Sequence, residues 1–407
     1  MGLKLRLTIM LFLNFFIWGA WLISFGGYLD HIGIAGNQIA FIYAMAGIAS
    51  IITPGIIGII ADKWLNSERL YGICHLIGAA ALYFASKATS YDQLWPWMML
   101  NALVFMPTIS LSFSVSYSLL TKAGLNTVKD FPPIRTWGTV GFIIAMWIVN
   151  FLGWNMTSHQ LLLASAAGLV LGIYSFTLPP SPPVKTQGKT SWKTAFGLDA
   201  FSLFKQRKMV VFFIFALLLG ICLQITNTWG TPFLNSFDSD YAGSFSVKYP
   251  LVILSISQIS EALFILAIPF FLRRYGIKTV MLLSLGAWVL RFGFFGIGNP
   301  GTGFTWLLLS MIVYGMAFDF FNISGSLFIE KEAPANIRSS AQGLFMMAAN
   351  GFGAVIGQFA AAEVINRFTS PEGIRDWHSI WFTFAAYALI IGVLFAVFFK
   401  YKHKPEN

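Results

Sequence analysis

Apolar stretches of about 20 residues follow one another along this chain with little interruption, and that pattern allows few folds. Crossing the hydrocarbon of a bilayer takes ~20 residues of helix. Lipid offers no hydrogen-bond partners, so a spanning backbone must satisfy its own N–H and C=O groups, which an α-helix does. Twelve such windows lie near residues 7–28, 38–61, 70–88, 94–120, 134–152, 158–178, 209–232, 250–272, 277–297, 303–328, 339–365 and 378–400. Hydrophobic residues make up 57% of the chain and charged residues 10%, against about 25% charged in soluble domains. A water-facing surface cannot be built from that supply. No soluble domain of 50 or more residues is left between the windows. The fold class read from the sequence is an all-α polytopic membrane protein with 12 transmembrane helices in two six-helix halves.

The distribution of charge says more than its sum. Net charge is +10, which in a soluble chain would raise the question of nucleic acid. Here 20 of the 26 Lys and Arg fall on segments that share one side if the N-terminus is cytoplasmic. Four (Lys87, Lys248, Arg367 and Arg375) fall on the other side, and Arg135 and Arg291 lie within helices. Positive charge is retained on the cytoplasmic face, so both termini are expected there, and the basic balance is an orientation signal. The partners implied are the lipid bilayer and a small solute; nucleic acid is not expected. Cys74 and Cys222 both fall inside predicted helices, which argues against a disulfide framework. Leu7–Tyr28 is too long for a signal peptide and reads as an uncleaved first helix.

Pro179-Pro-Ser-Pro-Pro183 stops the sixth window, and Lys185, Lys189, Lys193, Lys205, Arg207 and Lys208 follow it. Prolines cannot continue a helix and the basic residues hold the segment in the cytoplasm. The expected domains are residues 1–180, a linker over 181–208, and 209–407. Trp192 and the run Phe196–Phe204 suggest a short helix on the membrane surface within that linker. Short charged turns follow the second and eighth windows, Gly58–Lys63 and Pro269–Lys278, as an internal repeat would place them.

Polar residues inside the windows mark where helices face protein or water. Glu261 sits near the middle of Leu251–Phe271. An ionised carboxylate at that depth costs about 2.5–3.5 kcal/mol on insertion scales and needs a partner, a proton or water. Proton-driven transport requires a group that moves between those states. Gln258 lies three residues earlier on the same face, and Gln224 and Asn227 have the same spacing one window before. Tyr314 and Phe318 are four apart with Asp319 beside them, and Arg135, Thr139 and Phe142 fall at i, i+4 and i+7. Carboxamides donate and accept, which suits sugar hydroxyls, while aromatic faces stack on a heterocycle. The inventory fits a small, neutral, hydroxyl-rich ligand with an aromatic part.

Each group also has a plainer reading. Gln224, Asn227 and Gln258 can bond neighbouring helices. Arg135, just after Pro132-Pro133, can be an interfacial arginine whose stem lies along apolar surface. Asp319 can be the structural partner of an arginine such as Arg291, and Phe142, Tyr314 and Phe318 can be packing in a chain with 41 Phe. Glu261 is functional by default. His31, His75, His159, His378 and His403 show no metal spacing, and no P-loop or dinucleotide fingerprint occurs. No enzyme activity, cofactor or metal is expected.

At these residues the chain resembles the bacterial nucleoside:proton symporter family of the major facilitator superfamily. The resemblance runs over essentially the whole length. It rests on Asp130-Phe-Pro-Pro-Ile-Arg135-Thr-Trp-Gly-Thr139, Leu223-Gln224-Ile-Thr-Asn227, Ser257-Gln258-Ile-Ser-Glu261, Arg274-Tyr-Gly-Ile-Lys278 and Tyr314-Gly-Met-Ala-Phe318-Asp319-Phe-Phe-Asn322. Gly58, Asp62 and Lys63 match the superfamily's loop signature, whereas Leu65 stands where a glycine is usual. The resemblance implies a substrate cavity between the halves, lined by Arg135, Thr139 and Phe142 from one and by Gln224, Asn227, Gln258, Glu261, Tyr314 and Phe318 from the other. It implies uptake of a nucleoside with protons by alternating access, in a monomer of the bacterial inner membrane. Glu261 and Asp319 are the candidates for the coupled proton. The rival expectations are a major facilitator carrier of a sugar or drug, and a membrane receptor that does not transport.

Overall fold

The computed structural model describes residues 2–34, 36–182, 198–334 and 337–401. Among them the chain is helical without strands; one antiparallel bridge, Thr369–Arg375, closes a turn before the last helix. In chain order the helices are α1 (Leu3–Gly19), α2 (Phe25–His31), α3 (Gly36–Lys63), α4 (Ser67–Ala85), α5 (Tyr91–Lys122), α6 (Thr127–Phe151) and α7 (His159–Ser175). A 3₁₀ segment, Leu198–Lys205, precedes α8 (Arg207–Leu223), α9 (Ile225–Asn235), α10 (Asp238–Tyr241) and α11 (Phe245–Lys248). Then come α12 (Pro250–Ile297), α13 (Phe304–Glu332), α14 (Arg338–Met346), a π-helical stretch Met347–Gly353, α15 (Ala354–Arg367) and α16 (Trp377–Phe398). Eight helical stretches among the described residues are long and apolar enough to cross a membrane. All twelve expected windows fall on helix, with α1 and α2 sharing the first and α12 carrying the eighth and ninth.

The chain divides into two compact units. The first comprises Met1–Ile34 and Ile48–Phe196, and the second Ala35–Gly47 and Gly197–Asn407. In the first, α1 lies along α6 and α4 packs on both α5 and α7. The backbone N–H of Ser181 donates to Glu68 at 2.8 Å, tying the chain after α7 to the first turn of α4. In the second, α12 packs on α13 and α16, and α8 packs on the π-helical stretch. Residues 35–47 group here because the start of α3 lies against this unit: Asn366 donates to Asn37 at 3.0 Å. The linker residues Lys185, Lys189, Trp192, Lys193 and Phe196 lie outside the described residues, as do the side chains of Asp62 and Lys63.

Two local departures from the sequence reading matter for function, and one break falls where a turn was expected. The first is that α6 begins at Thr127, ahead of Pro132-Pro133, so both prolines are inside the helix. Reciprocal capping explains the early start. The Asn126 side chain accepts from the Lys129 N–H at 3.2 Å, and Asp130 accepts from the Asn126 N–H at 3.0 Å and from Lys4 at 2.7 Å. The seventh window is broken at Gln224, whose φ of −99° and ψ of −9° end α8 and start α9. Within α12 the helix is interrupted at Gly276, with φ 74° and ψ 169°, a conformation open almost only to glycine.

Candidate functional site

In the first unit the three candidates share α6. Arg135 is half-buried and its guanidinium lies 4.0 Å from the centre of the Phe15 ring and 5.7 Å from that of Phe113. An aromatic bed of this kind holds a cation in partly desolvated surroundings without neutralising it. Thr139, one turn on, is also half-buried. Phe142 is buried and meets Trp18 edge-on, with centroids 6.3 Å apart. Cation, hydroxyl and ring therefore follow one another along one helix.

In the second unit the break at Gln224 presents two carboxamides together. Asn227 donates its amide to the Gln224 side-chain oxygen at 2.9 Å. Each is half-buried, and the pairing leaves the Gln224 amide free to donate and the Asn227 oxygen free to accept. Their neighbours on α9 hold the helix in place instead: Thr228 accepts from Gln358 at 2.8 Å and Thr226 accepts from Arg291 at 3.0 Å. The cross-helix bonds thus fall to the threonines, while Gln224 and Asn227 bond each other. Gln258 is half-buried and has no hydrogen-bond partner among the described residues.

Glu261 is half-buried on α12 where that helix meets α13 almost backbone to backbone. A β-carbon at Gly315 would lie 2.7 Å from the Glu261 nitrogen, so only glycine permits this approach. One residue before Gly315, Tyr314 stacks on Phe318 with centroids 5.7 Å apart and planes 23° from parallel. The Tyr314 phenol lies within electrostatic reach of Glu261, Arg291 and Asp319. Asp319 is buried on α13. The structure thus gathers a carboxylate, carboxamides and a pair of stacked rings in one unit. These groups can hold hydroxyls and cover an apolar or aromatic face. Among the described residues no cluster of His, Cys, Asp and Glu is placed to hold a metal ion.

Arg291 has a larger place here than its sequence position suggests. It is 2% exposed, donates to Thr226, Ser257 and the Ser310 carbonyl, and lies over the Tyr314 ring at 4.3 Å. It forms no ion pair among the described residues. An arginine inside an apolar window was the signal available in the sequence; its partners were not.

Comparisons with known proteins bear on the family of the chain. The family described as Nucleoside H+ symporter matches residues 1–404. The xanthosine permease of Escherichia coli (strain K12) is 53% identical over 411 residues, covering 100% of this chain and 98% of its own. The nucleoside permease NupG of the same organism is 48% identical over 407 residues, covering 99% and 97%. The crystal structure of the nucleoside transporter NupG superposes with a TM-score of 0.93 over 99% of this chain and 100% of that one. A bacterial homologue of the lysosomal transporter Spinster, 13% identical, matches with a TM-score of 0.70 over 98% of this chain and 95% of its own, and so shares the fold alone. By fold and by sequence over its whole length, this chain belongs to the nucleoside H+ symporter family of multi-pass membrane transporters.

Proposed function

We propose that this protein carries nucleosides into the bacterial cell across the inner membrane together with protons, working as a monomer with both termini in the cytoplasm. The observation that carries the site assignment is the grouping in the second unit: the Gln224–Asn227 pair, Gln258 without a partner among the described residues, and half-buried Glu261 beside the Tyr314–Phe318 stack. Ribose hydroxyls are both donors and acceptors, and carboxamides match either role. Glu261 holds vicinal ribose hydroxyls through its carboxyl group, and Tyr314 and Phe318 cover the base. In the other unit the candidates are Arg135, Thr139 and Phe142, a cation, a hydroxyl and a ring along one helix.

In proton coupling, Glu261 is the first candidate and Asp319 the second. Symport needs proton and cargo bound together; a protonated carboxyl donates from its O–H and accepts at its other oxygen, so Glu261 carries the proton while bonded to ribose hydroxyls. Alternating access between residues 1–180 and 209–407, joined by the segment 181–208, moves that site from one face to the other. The test is uptake of a nucleoside panel, including xanthosine and uridine, by the full chain in proteoliposomes with and without an imposed pH gradient. Accumulation above the outside concentration only with the gradient is expected. Binding without flux would point to a receptor, and competition by sugars in place of nucleosides would point to a different cargo; either overturns the proposal.

A further inference from the structure

A single buried guanidinium is bonded close in sequence to several candidate positions of the second unit. Arg291 Nη2 donates to Thr226 Oγ1 at 3.0 Å. Its Nη1 donates to Ser257 Oγ at 3.2 Å and to the Ser310 carbonyl at 2.8 Å. The Ser310 hydroxyl donates back to the Arg291 carbonyl at 2.9 Å, and Ser257 in turn donates to the Met311 sulfur at 3.2 Å. Thr226 stands between Gln224 and Asn227, Ser257 immediately precedes Gln258, and Ser310 lies one turn before Tyr314, whose ring carries the guanidinium. Three elements, α9, the first part of α12 and α13, are therefore tied to one planar group.

These partners are an unusual choice for a charge at this depth. A buried arginine is ordinarily neutralised by a carboxylate, because desolvating an unpaired ion is costly. Arg291 instead uses two hydroxyls, a carbonyl and a ring face. Hydroxyls and carbonyls fix direction without cancelling charge. The guanidinium fork is rigid, so its bonds to different helices also fix the spacing between those helices. At 2% exposure the side chain is closed off from a ligand, which leaves it acting through its neighbours.

We propose that Arg291 is a positioning residue for nucleoside recognition: it sets the register of α9, α12 and α13, and with it the geometry of Gln224 and Asn227, of Gln258 and Glu261, and of Tyr314 and Phe318. This rests on the site reading given above. Its distinguishing consequence is that removing the hydroxyl partners, which face the arginine and not the ligand, weakens nucleoside binding.

The test uses the full chain in proteoliposomes with Thr226→Val, Ser257→Ala and Arg291→Lys, alongside Asn227→Ala and Gln258→Ala as direct contacts. KM and maximal rate for nucleoside uptake are measured together with the thermal midpoint of each purified protein. Thr226→Val and Ser257→Ala are expected to raise KM about three- to tenfold each, with the maximal rate and the midpoint nearly kept, since each removes one acceptor of a charged donor. Arg291→Lys, which keeps the charge and loses the fork, is expected to raise KM further. If the two hydroxyl variants keep the wild-type KM while Asn227→Ala and Gln258→Ala raise it, the positioning role is overturned and the site reading stands. If all four keep it, both are overturned. The hydroxyl variants keep the test decisive should Arg291→Lys fail to fold.

Discussion

Gly315→Ala places a methyl group where α12 and α13 run nearly in backbone contact. The new β-carbon would lie 2.5 Å from the Ser260 carbonyl oxygen, 2.6 Å from its carbon and 2.7 Å from the Glu261 nitrogen. Comfortable contact begins at about 3.5 Å, so the two helices must part by about 1 Å. All three obstructing atoms are backbone, and no side chain can rotate away to absorb the change. Overpacking of this kind costs about 1–3 kcal/mol. Expressed in an equilibrium constant, that is about 5- to 150-fold. Part of it appears as lost stability and part as lost affinity, because the displaced strand of backbone carries Glu261. The assay is nucleoside uptake in proteoliposomes for KM, with the thermal midpoint of the purified protein measured in parallel. A KM raised about tenfold and a lowered midpoint are expected. An unchanged KM with an unchanged midpoint would refute the packing argument. A lowered midpoint with an unchanged KM would keep the packing and remove Glu261 from recognition.

Glu261→Gln is expected to abolish uphill accumulation under a pH gradient while nucleoside binding falls or survives in part; undiminished proton-coupled uptake would move the coupling role to Asp319. Gly276→Ala forces an L side chain into φ 74°, ψ 169° and is expected to cost about 1–3 kcal/mol, read as a lower thermal midpoint with KM preserved. Asp376 caps α16, accepting from the Ser379 N–H at 3.1 Å. Hydrogen bonds from Ser379, its side chain first and its backbone second, hold this carboxyl below its ordinary value. Its contribution to stability is therefore complete above the usual carboxylate range and is lost as pH falls through the lowered native value. Asp376→Asn keeps a capping oxygen, so thermal scans across acidic pH should show a shallower loss of stability than wild type.

The architecture was legible in the residues because lipid removes the alternatives. A 20-residue apolar window in a membrane has one way to satisfy its backbone, and the asymmetry of Lys and Arg then suggests an orientation without any knowledge of packing. The candidate site was legible as an inventory for a similar reason. Glu261, Gln258, Gln224 and Asn227 stand out only because their surroundings are apolar, and the helical spacing already put them in pairs on common faces. The start of α6 was not legible. Pro132-Pro133 reads locally as a boundary, and what overrides it includes a contact from Asp130 to Lys4, 126 residues away.

The class of molecule, the helical windows and the kinds of polar group inside them follow from composition and period alone. Which of these groups are committed to holding helices together follows from the packing alone. Thr226, Thr228 and Ser257 are no less polar on paper than Gln224, Asn227 and Gln258. Yet the first three are engaged by Arg291 or Gln358, while the others are paired with each other or have no partner among the described residues. Distance along the chain explains the difference. The partners of Arg291 lie 19, 34 and 65 residues from it, and hydrogen bonds over such separations are set by how helices pack, which no local pattern encodes.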